Sequence, residues 1–330
     1  MEAQHYPEDY DGIIAGDPAN DWTHFMTSEV KNSWVLTHNP ASWIPPNKLP
    51  AIQNAALAAC DKADGVADGV ADGVVENPGK CRFDPAVLLC TGQETSSCLT
   101  AQQMAAIKEI YGGLHDAGNK LVFPGYAPSG EAGRGGWGYV LTGPAPGNHY
   151  MHAFSTGFFK YMVYGDASWD YKSFDVARDL PAAQELAGLL NATDPNLKAF
   201  HARGGKLILY HGWCDPGIPA QATIDYYQSV VRKMGSETAG KFVRLFLVPG
   251  MQHCWGGPGP NQFGQDGPPT GDPASNLAAA LMQWVEKGVA PNQIVAVRAG
   301  RTRPLCAYPK TARYKGSGST DDAANFECAQ

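Results

Sequence analysis

Three apolar runs stand out against a loop-rich background. "DGIIAG" (Asp11 to Gly16) is short and follows a polar, helix-like "MEAQHYPEDY". "GKLILYHG" (Gly205 to Gly212) and "VRLFLVPG" (Val243 to Gly250) are stronger, and each of the three is closed by glycine. Continuous rather than alternating runs predict strands covered on both faces, as in a parallel sheet. Between the last two, Ile224, Tyr227, Val230 and Val231 recur at helical spacing ahead of Gly235. Further on, Leu277, Leu281, Trp284 and Val285 mark one face of another helix. Strand, helix, strand, helix predicts an α/β sheet. The stretch from about Asp21 to Asn196 breaks this pattern, with four cysteines, many aromatics, an Asp-Gly repeat and few clear strands. It reads as a large insertion between the strand at Ile13–Ile14 and the strand at Leu207–Tyr210. Within it "GRGGWG" matches a dinucleotide fingerprint by letter, but no strand leads in and no helix follows, so it reads as a loop.

Composition narrows the class. The chain has 330 residues and a formal net charge of −7, with no run of lysine or arginine, which gives no electrostatic footprint for nucleic acid or an anionic membrane. No apolar stretch approaches the roughly 18 residues of a membrane span. Eight cysteines occur without any C-x-x-C spacing, so oxidised pairs in a secreted protein are the better reading. The sequon Asn191-Ala192-Thr193 agrees with secretion. Yet the chain opens on "MEAQHYPEDY" with no apolar export segment, so it is expected either to be intracellular or to lack its beginning.

Two stretches carry chemistry. Asp215 lies just beyond one predicted strand, and His253 lies at the same edge of the next, 38 residues later. Ligand-handling residues of open α/β sheets sit on that edge. Acid first and histidine second is the chain order of α/β-hydrolases, in which the carboxylate fixes the histidine tautomer and frees Nε2 to take a proton from serine. The competing reading is two ordinary loop residues. In "CDKADGVADGVADGVVENPGKC", Asp61, Asp64, Asp68 and Asp72 recur with glycines between Cys60 and Cys81. Closely spaced carboxylates and main-chain carbonyls suit Ca²⁺, although the EF-hand register is absent. The competing reading here is a solvated acidic loop.

The motifs "YPEDYDGIIAGDPA", "LYHGWCDPGIP", "VPGMQHCWGGPGP" and "RPLCAYPKTARYKGSGSTDDAANFEC" together resemble the tannase and feruloyl esterase family of secreted serine esterases. The resemblance implies a partial α/β-hydrolase fold: core segments at 1–20 and 197–330, and a lid domain with a calcium loop at 21–196. It implies Asp215 as acid and His253 as base in hydrolysis of small aromatic-acid esters through an acyl-serine. It also implies a structural Ca²⁺ on the Asp61, Asp64 and Asp68 carboxylates and the Val66 and Val70 carbonyls. One extra "DGVA" unit lets Asp68 and Asp72 replace Asp64 and Asp68 in that register. Pairs Cys60–Cys81, Cys90–Cys98 and Cys306–Cys328 follow from proximity and similarity. In the family, the cysteine beside the histidine pairs with one immediately before the serine. No serine here has glycines two residues to either side, so the nucleophile is expected to be missing and the chain inactive by itself. Cys254 is then left to pair with Cys214 or to stay free. Trp137, Tyr139, Phe158, Phe159, Tyr161 and Trp169 either line an acyl pocket or fill the lid core. The alternatives are a non-catalytic, calcium-binding, disulfide-stapled secreted protein, or one chain of a two-chain esterase whose amino-terminal partner carries the serine.

Overall fold

The computed structural model describes residues 1–62 and 68–330. Strand β1 (Gly12–Gly16) leads into a helical region containing α1 (Trp22–Thr37), α2 (Leu49–Cys60) and α3 (Ala101–Gly112). A small hairpin of β2 (Leu114–His115) and β3 (Leu121–Phe123) follows, then α4 (Tyr150–Gly157) and α5 (Val176–Gln184). The chain then returns through β4 (Lys206–Gly212), α6 (Ala220–Met234), β5 (Val243–Val248) and α7 (Leu277–Lys287). Strands β6 (Gln293–Arg298), β7 (Arg301–Cys306), β8 (Thr311–Tyr314) and β9 (Phe326–Ala329) pair as two hairpins.

The apolar runs form a parallel sheet in the order β1-β4-β5, with Ile13 opposite Leu207 and Leu209 opposite Leu245. Both faces are covered, which explains why the runs do not alternate. Leu207, Leu209, Val243 and Leu245 pack with Ile224 and Val230 of α6. On the other face Ile208, Tyr210, Phe246 and Val248 meet Leu277, Ala280 and Trp284 of α7. Within α6 the inward tyrosine is Tyr226, while Tyr227 is only partly covered, one position off the predicted stripe. The helix expected over the first ten residues shrinks to Glu2–His5, because Pro7 disfavours helical backbone at the residue before it.

The helical region builds two further cores, α1 serves both, and the first also takes in Ile218 and Ala222 from the segment around the start of α6. Its Phe25, Met26 and Val30 join Phe123, Met151, Phe158 and Phe159, while Val35 and Leu36 join Ile52, Ile107 and Trp137. Helix α3 starts at a capping box in which the Thr100 and Gln103 side chains each accept a main-chain N–H of the other residue. Disulfides join Cys60 to Cys81, Cys90 to Cys98 and Cys306 to Cys328. Arg303 of β7 is buried and grips the repeat loop: Nε donates to Asp68 Oδ2 at 3.1 Å and Nη2 to Asp72 Oδ2 at 2.7 Å. The carboxyl-terminal hairpins are thereby ionically tied to the segment after Cys60.

Candidate active site

Because β4 and β5 run parallel and adjacent, the loops leaving their carboxyl ends open on one edge. The loops are drawn together closely. A Cβ on Gly212 would lie 2.5 Å from the Met251 and Gln252 carbonyl oxygens, so only glycine fits there. On this edge His253 Nδ1 stands 2.7 Å from Asp215 Oδ2. Oδ1 of Asp215 accepts the Gly217 and Ile218 main-chain N–H groups at 2.8 and 3.0 Å. The Asp215 side chain is fully buried and that of His253 is 54% exposed. Burial alone would push the Asp215 carboxyl up. Hydrogen bonds from His211 and His253 outweigh it and hold the group well below the usual carboxylate range. The bond to Asp215 raises the His253 imidazole to about 9.

A second imidazole lies behind the first. His211, at the end of β4, is fully buried, with Nδ1 2.8 Å from Thr223 Oγ1 and Nε2 3.0 Å from the Ile218 carbonyl. A carbonyl only accepts, so Nε2 carries a proton. The same nitrogen is 3.4 Å from Asp215 Oδ2 and 3.5 Å from Asp17 Oδ1. Burial pulls His211 down, but the Asp17 and Asp215 charges reverse that and leave it raised. Asp17 follows β1 at the same sheet edge with positive φ (42°) and only 2% exposure. Its Oδ1 accepts from Gly212 N at 2.6 Å and its Oδ2 from Cys254 N, so one carboxylate pins both neighbouring loops. Deeper still, Glu29 of α1 accepts from Tyr126 Oη at 2.8 Å and Asn32 Nδ2 at 3.0 Å, and its Oε2 has no partner among the described residues. Burial raises Glu29 to about 8.

His253 faces a cleft of about 610 Å³ walled by Trp22, Phe25, Tyr139, Tyr150, Phe154 and Trp255, with no serine in its lining. Among the described residues no hydroxyl hydrogen-bonds to His253; Asp215 is its partner. Of the aromatics weighed for an acyl pocket, Tyr139 lines the cleft, whereas Trp137, Phe158 and Phe159 are core. Trp169 stacks on Phe159, and Tyr161 is exposed outside the lining. Cys214 and Cys254 are free thiols, the first buried and the second half-buried.

The candidate calcium ligands are brought together only in part. Asp64 and Val66 lie outside the described residues. Asp61 Oδ2 accepts from Gly73 N at 3.0 Å, while its Oδ1 is buried with no hydrogen-bond partner among the described residues. Asp68 Oδ1 accepts from Val70 N at 2.9 Å, and its other oxygen is held by Arg303. Asp72 Oδ2 is shared by Arg303 and Arg301. Among the described residues these three aspartates do not bring their carboxylates within 4.8 Å of one another.

Sequence reasoning missed Asp17, His211 and Glu29. Asp17 had the same signal as Asp215 and His253, a polar residue just past a strand's carboxyl end. His211 and Glu29 had none: one is a lone histidine in an apolar strand, the other one polar residue among many in a mixed helix.

The description "Tannase and feruloyl esterase" matches residues 1–329. An uncharacterized esterase of Xanthomonas campestris pv. campestris is 40% identical, aligned over 99% of this chain and 62% of its own length. Mono(2-hydroxyethyl) terephthalate hydrolase of Piscinibacter sakaiensis is 32% identical over 100% of this chain and 61% of its own. The crystal structure of feruloyl esterase B from Aspergillus oryzae superposes with a TM-score of 0.88 at 26% identity, over 99% of this chain and 65% of that one. The chain thus spans about 62% of the length of the curated relatives it matches. On the family match along its whole length and on these likenesses, the chain belongs to the tannase and feruloyl esterase family.

Proposed function

We propose that this chain supplies the acid, Asp215, and the base, His253, of a carboxylic ester hydrolase that acts on aromatic-acid esters through an acyl-serine. The observation that carries the reading is the 2.7 Å bond between Asp215 Oδ2 and His253 Nδ1 at an aromatic-walled cleft. With Nδ1–H given to the carboxylate, Nε2 of neutral His253 takes the serine proton and later returns it to the leaving alcohol. Asp215 stabilises the imidazolium formed between those steps. We assign the serine and the oxyanion donors to polypeptide outside these 330 residues, in line with the greater length of the relatives. Residues 21–196 are read as a lid on a core of 1–20 and 197–330, contributing Trp22, Phe25, Tyr139, Tyr150 and Phe154 to the cleft. The names of relatives, feruloyl esterase and mono(2-hydroxyethyl) terephthalate hydrolase, favour planar aromatic acyl groups. Three disulfides favour an oxidising, extracellular setting.

The test compares two polypeptides. The 330-residue chain alone is expected neither to hydrolyse methyl ferulate, methyl gallate or mono(2-hydroxyethyl) terephthalate nor to label with a fluorophosphonate. A polypeptide extended upstream through a nucleophile elbow is expected to do both, and to lose labelling on His253→Ala. Robust His253-dependent hydrolysis by the chain alone would overturn the assignment of the nucleophile.

We also propose a structural Ca²⁺ held by Asp61, Asp64, Val66, Asp68 and Val70. Its support is Asp61 Oδ1, a buried oxygen without a hydrogen-bond partner among the described residues, in a carboxyl that burial raises. The shifted register through Asp72 is less favoured, because two arginines already hold that carboxylate. Chelation is expected to lower the melting temperature, and Asp61→Asn to remove the difference. Melting unchanged by chelator would leave only an acidic turn.

A further inference from the structure

Tyr126 Oη lies 2.8 Å from Glu29 Oε1 and 2.7 Å from the Gly217 carbonyl oxygen. A phenol carries one proton, so it cannot donate to both. With Glu29 a carboxylate, one of those two oxygens faces a lone pair with no proton between. With Glu29 a carboxylic acid, every short contact has its proton. Oε1–H donates to Tyr126 Oη, Tyr126 donates to the Gly217 carbonyl, and Asn32 Nδ2 still donates to Oε1 at 3.0 Å. Oε2 fits the same assignment. It is buried without a hydrogen-bond partner among the described residues, which a neutral carbonyl oxygen tolerates far better than half of a carboxylate. Lys31, two residues on, is committed elsewhere: its Nζ donates to the Glu109 and Gly113 carbonyls at 2.6 and 3.2 Å and lies 3.1 Å from the Glu109 carboxylate. Burial opposes ionisation of Glu29 most strongly and the Asp215 charge adds to it, while Lys31 favours the anion.

The far end of this chain of bonds is the acid. The Gly217 carbonyl and the Ile218 N–H belong to one planar peptide unit. That N–H donates to Asp215 Oδ1 at 3.0 Å, beside the Gly217 N–H at 2.8 Å. A donor on the carbonyl fixes the plane and polarises the N–H on its other side. The remaining carboxylate oxygen, Oδ2, is the one that holds His253 Nδ1. Helix α1 therefore acts twice within about one turn. Phe25 and Met26 wall the cleft, and Glu29 reaches beneath it to the turn that carries the acid.

We propose that Glu29, as a neutral carboxylic acid, and Tyr126 are positioning residues for Asp215. Together they fix the Gly217–Ile218 peptide against Oδ1 and so set the direction of Oδ2 toward His253. The proposal rests on the reading of Asp215 as the acid, and neither residue touches substrate. When Glu29 ionises, its proton passes to solvent, the Tyr126 hydroxyl turns to the carboxylate, and the Gly217 carbonyl is left bare. The hold on the acid is then lost in alkali.

The test uses the 330-residue chain with isotopically labelled glutamate carboxyls. At neutral pH its infrared spectrum should contain a protonated-carboxyl band that Glu29→Gln removes and that fades as pH rises through about 8. The Ile218 amide resonance should move in step with that loss. In Glu29→Gln the amide N–H replaces the acid proton, with Asn32 turning its oxygen inward. There the Ile218 amide and the low-field His253 Nδ1 proton should keep their neutral-pH positions, and the step should vanish. In Tyr126→Phe both resonances should shift at neutral pH, and the Nδ1 proton should exchange with water about fivefold faster. A tyrosine that only fills space would leave the Nδ1 resonance in place. The proposal is overturned by the absence of a band that Glu29→Gln removes, by an Ile218 amide indifferent to the carboxyl titration, or by an Nδ1 proton unmoved in Tyr126→Phe. The first two outcomes rely on the unaltered chain and the near-isosteric Glu29→Gln, so they decide even if Tyr126→Phe fails to fold. No ester turnover enters these readings, and the labelling experiment tests the esterase reading separately.

Discussion

His211 and His253 share one acid, Asp215 Oδ2, yet they live in opposite surroundings. His211 is sealed between two carboxylates, a threonine hydroxyl and a carbonyl, with its Nε2 proton committed. Among the described residues His253 has one partner, and it keeps an exposed face toward a cleft. Proximity to a buried carboxylate therefore does not make a histidine reactive. What distinguishes the second is a ring nitrogen left without a partner, among the described residues, once Asp215 is satisfied. His211 spends its hydrogen-bonding capacity on holding charges in place, and His253 keeps half of its own in reserve.

The largest effect expected to test this contrast is on stability. His211→Ala leaves Asp17 and Asp215 buried without the imidazole that lies against both and should cost about 3–5 kcal/mol in urea unfolding. His253→Ala removes a half-exposed partner and should cost less than about 1 kcal/mol. Equal costs would break the comparison. Next comes Glu29, also sealed behind Asp215. Its folded pKa is raised to about 8, so above the unfolded value near 4.5 the unfolded chain gives up this proton first. Its contribution to stability therefore falls as pH rises from about 4.5 to about 8. Glu29→Gln should remove that slope and stabilise the protein above pH 8 by up to a few kcal/mol.

A titration sharpens the picture further. The His253 imidazole should titrate near pH 9 by nuclear magnetic resonance, and Asp215→Asn should return it to about 6.5 or below. The sign follows from the partner: His253 stabilises the fold fully below its unfolded pKa, and this share is lost as pH rises through about 9. The smallest effect is expected at Tyr139, which is 62% exposed on the cleft wall. Tyr139→Ala should change stability by less than about 0.5 kcal/mol. In the extended enzyme it should act on KM for aromatic esters more than on kcat.

Much of the sheet was legible because burial on both faces leaves unbroken apolar runs. Leu207 to Tyr210 and Val243 to Val248 are such runs, and both fold as strands between α6 and α7. The juxtaposition of Asp215 and His253 was legible from a rule about strand ends, and Asp17 obeys the same rule in the unread part of its motif. The cleft wall was not legible. Trp22 and Phe25 come from α1, Tyr150 and Phe154 from α4, and Trp255 from the loop after β5, so only tertiary packing assembles them. Of the aromatics that the sequence offered either to an acyl pocket or to the lid core, Phe158 and Phe159 fill a core and Tyr139 lines the cleft.

Arg303 holds Asp68 and Asp72, two carboxylates one repeat unit apart. The repeat places another aspartate, Asp64, at the same interval upstream. A strap built from identical four-residue links can lose one link and still present a pair of aspartates at the spacing this arginine grips. Length change in this loop is therefore cheap for the clasp. The cost falls on whatever else the loop carries, since every deletion passes a carboxylate from one duty to the other.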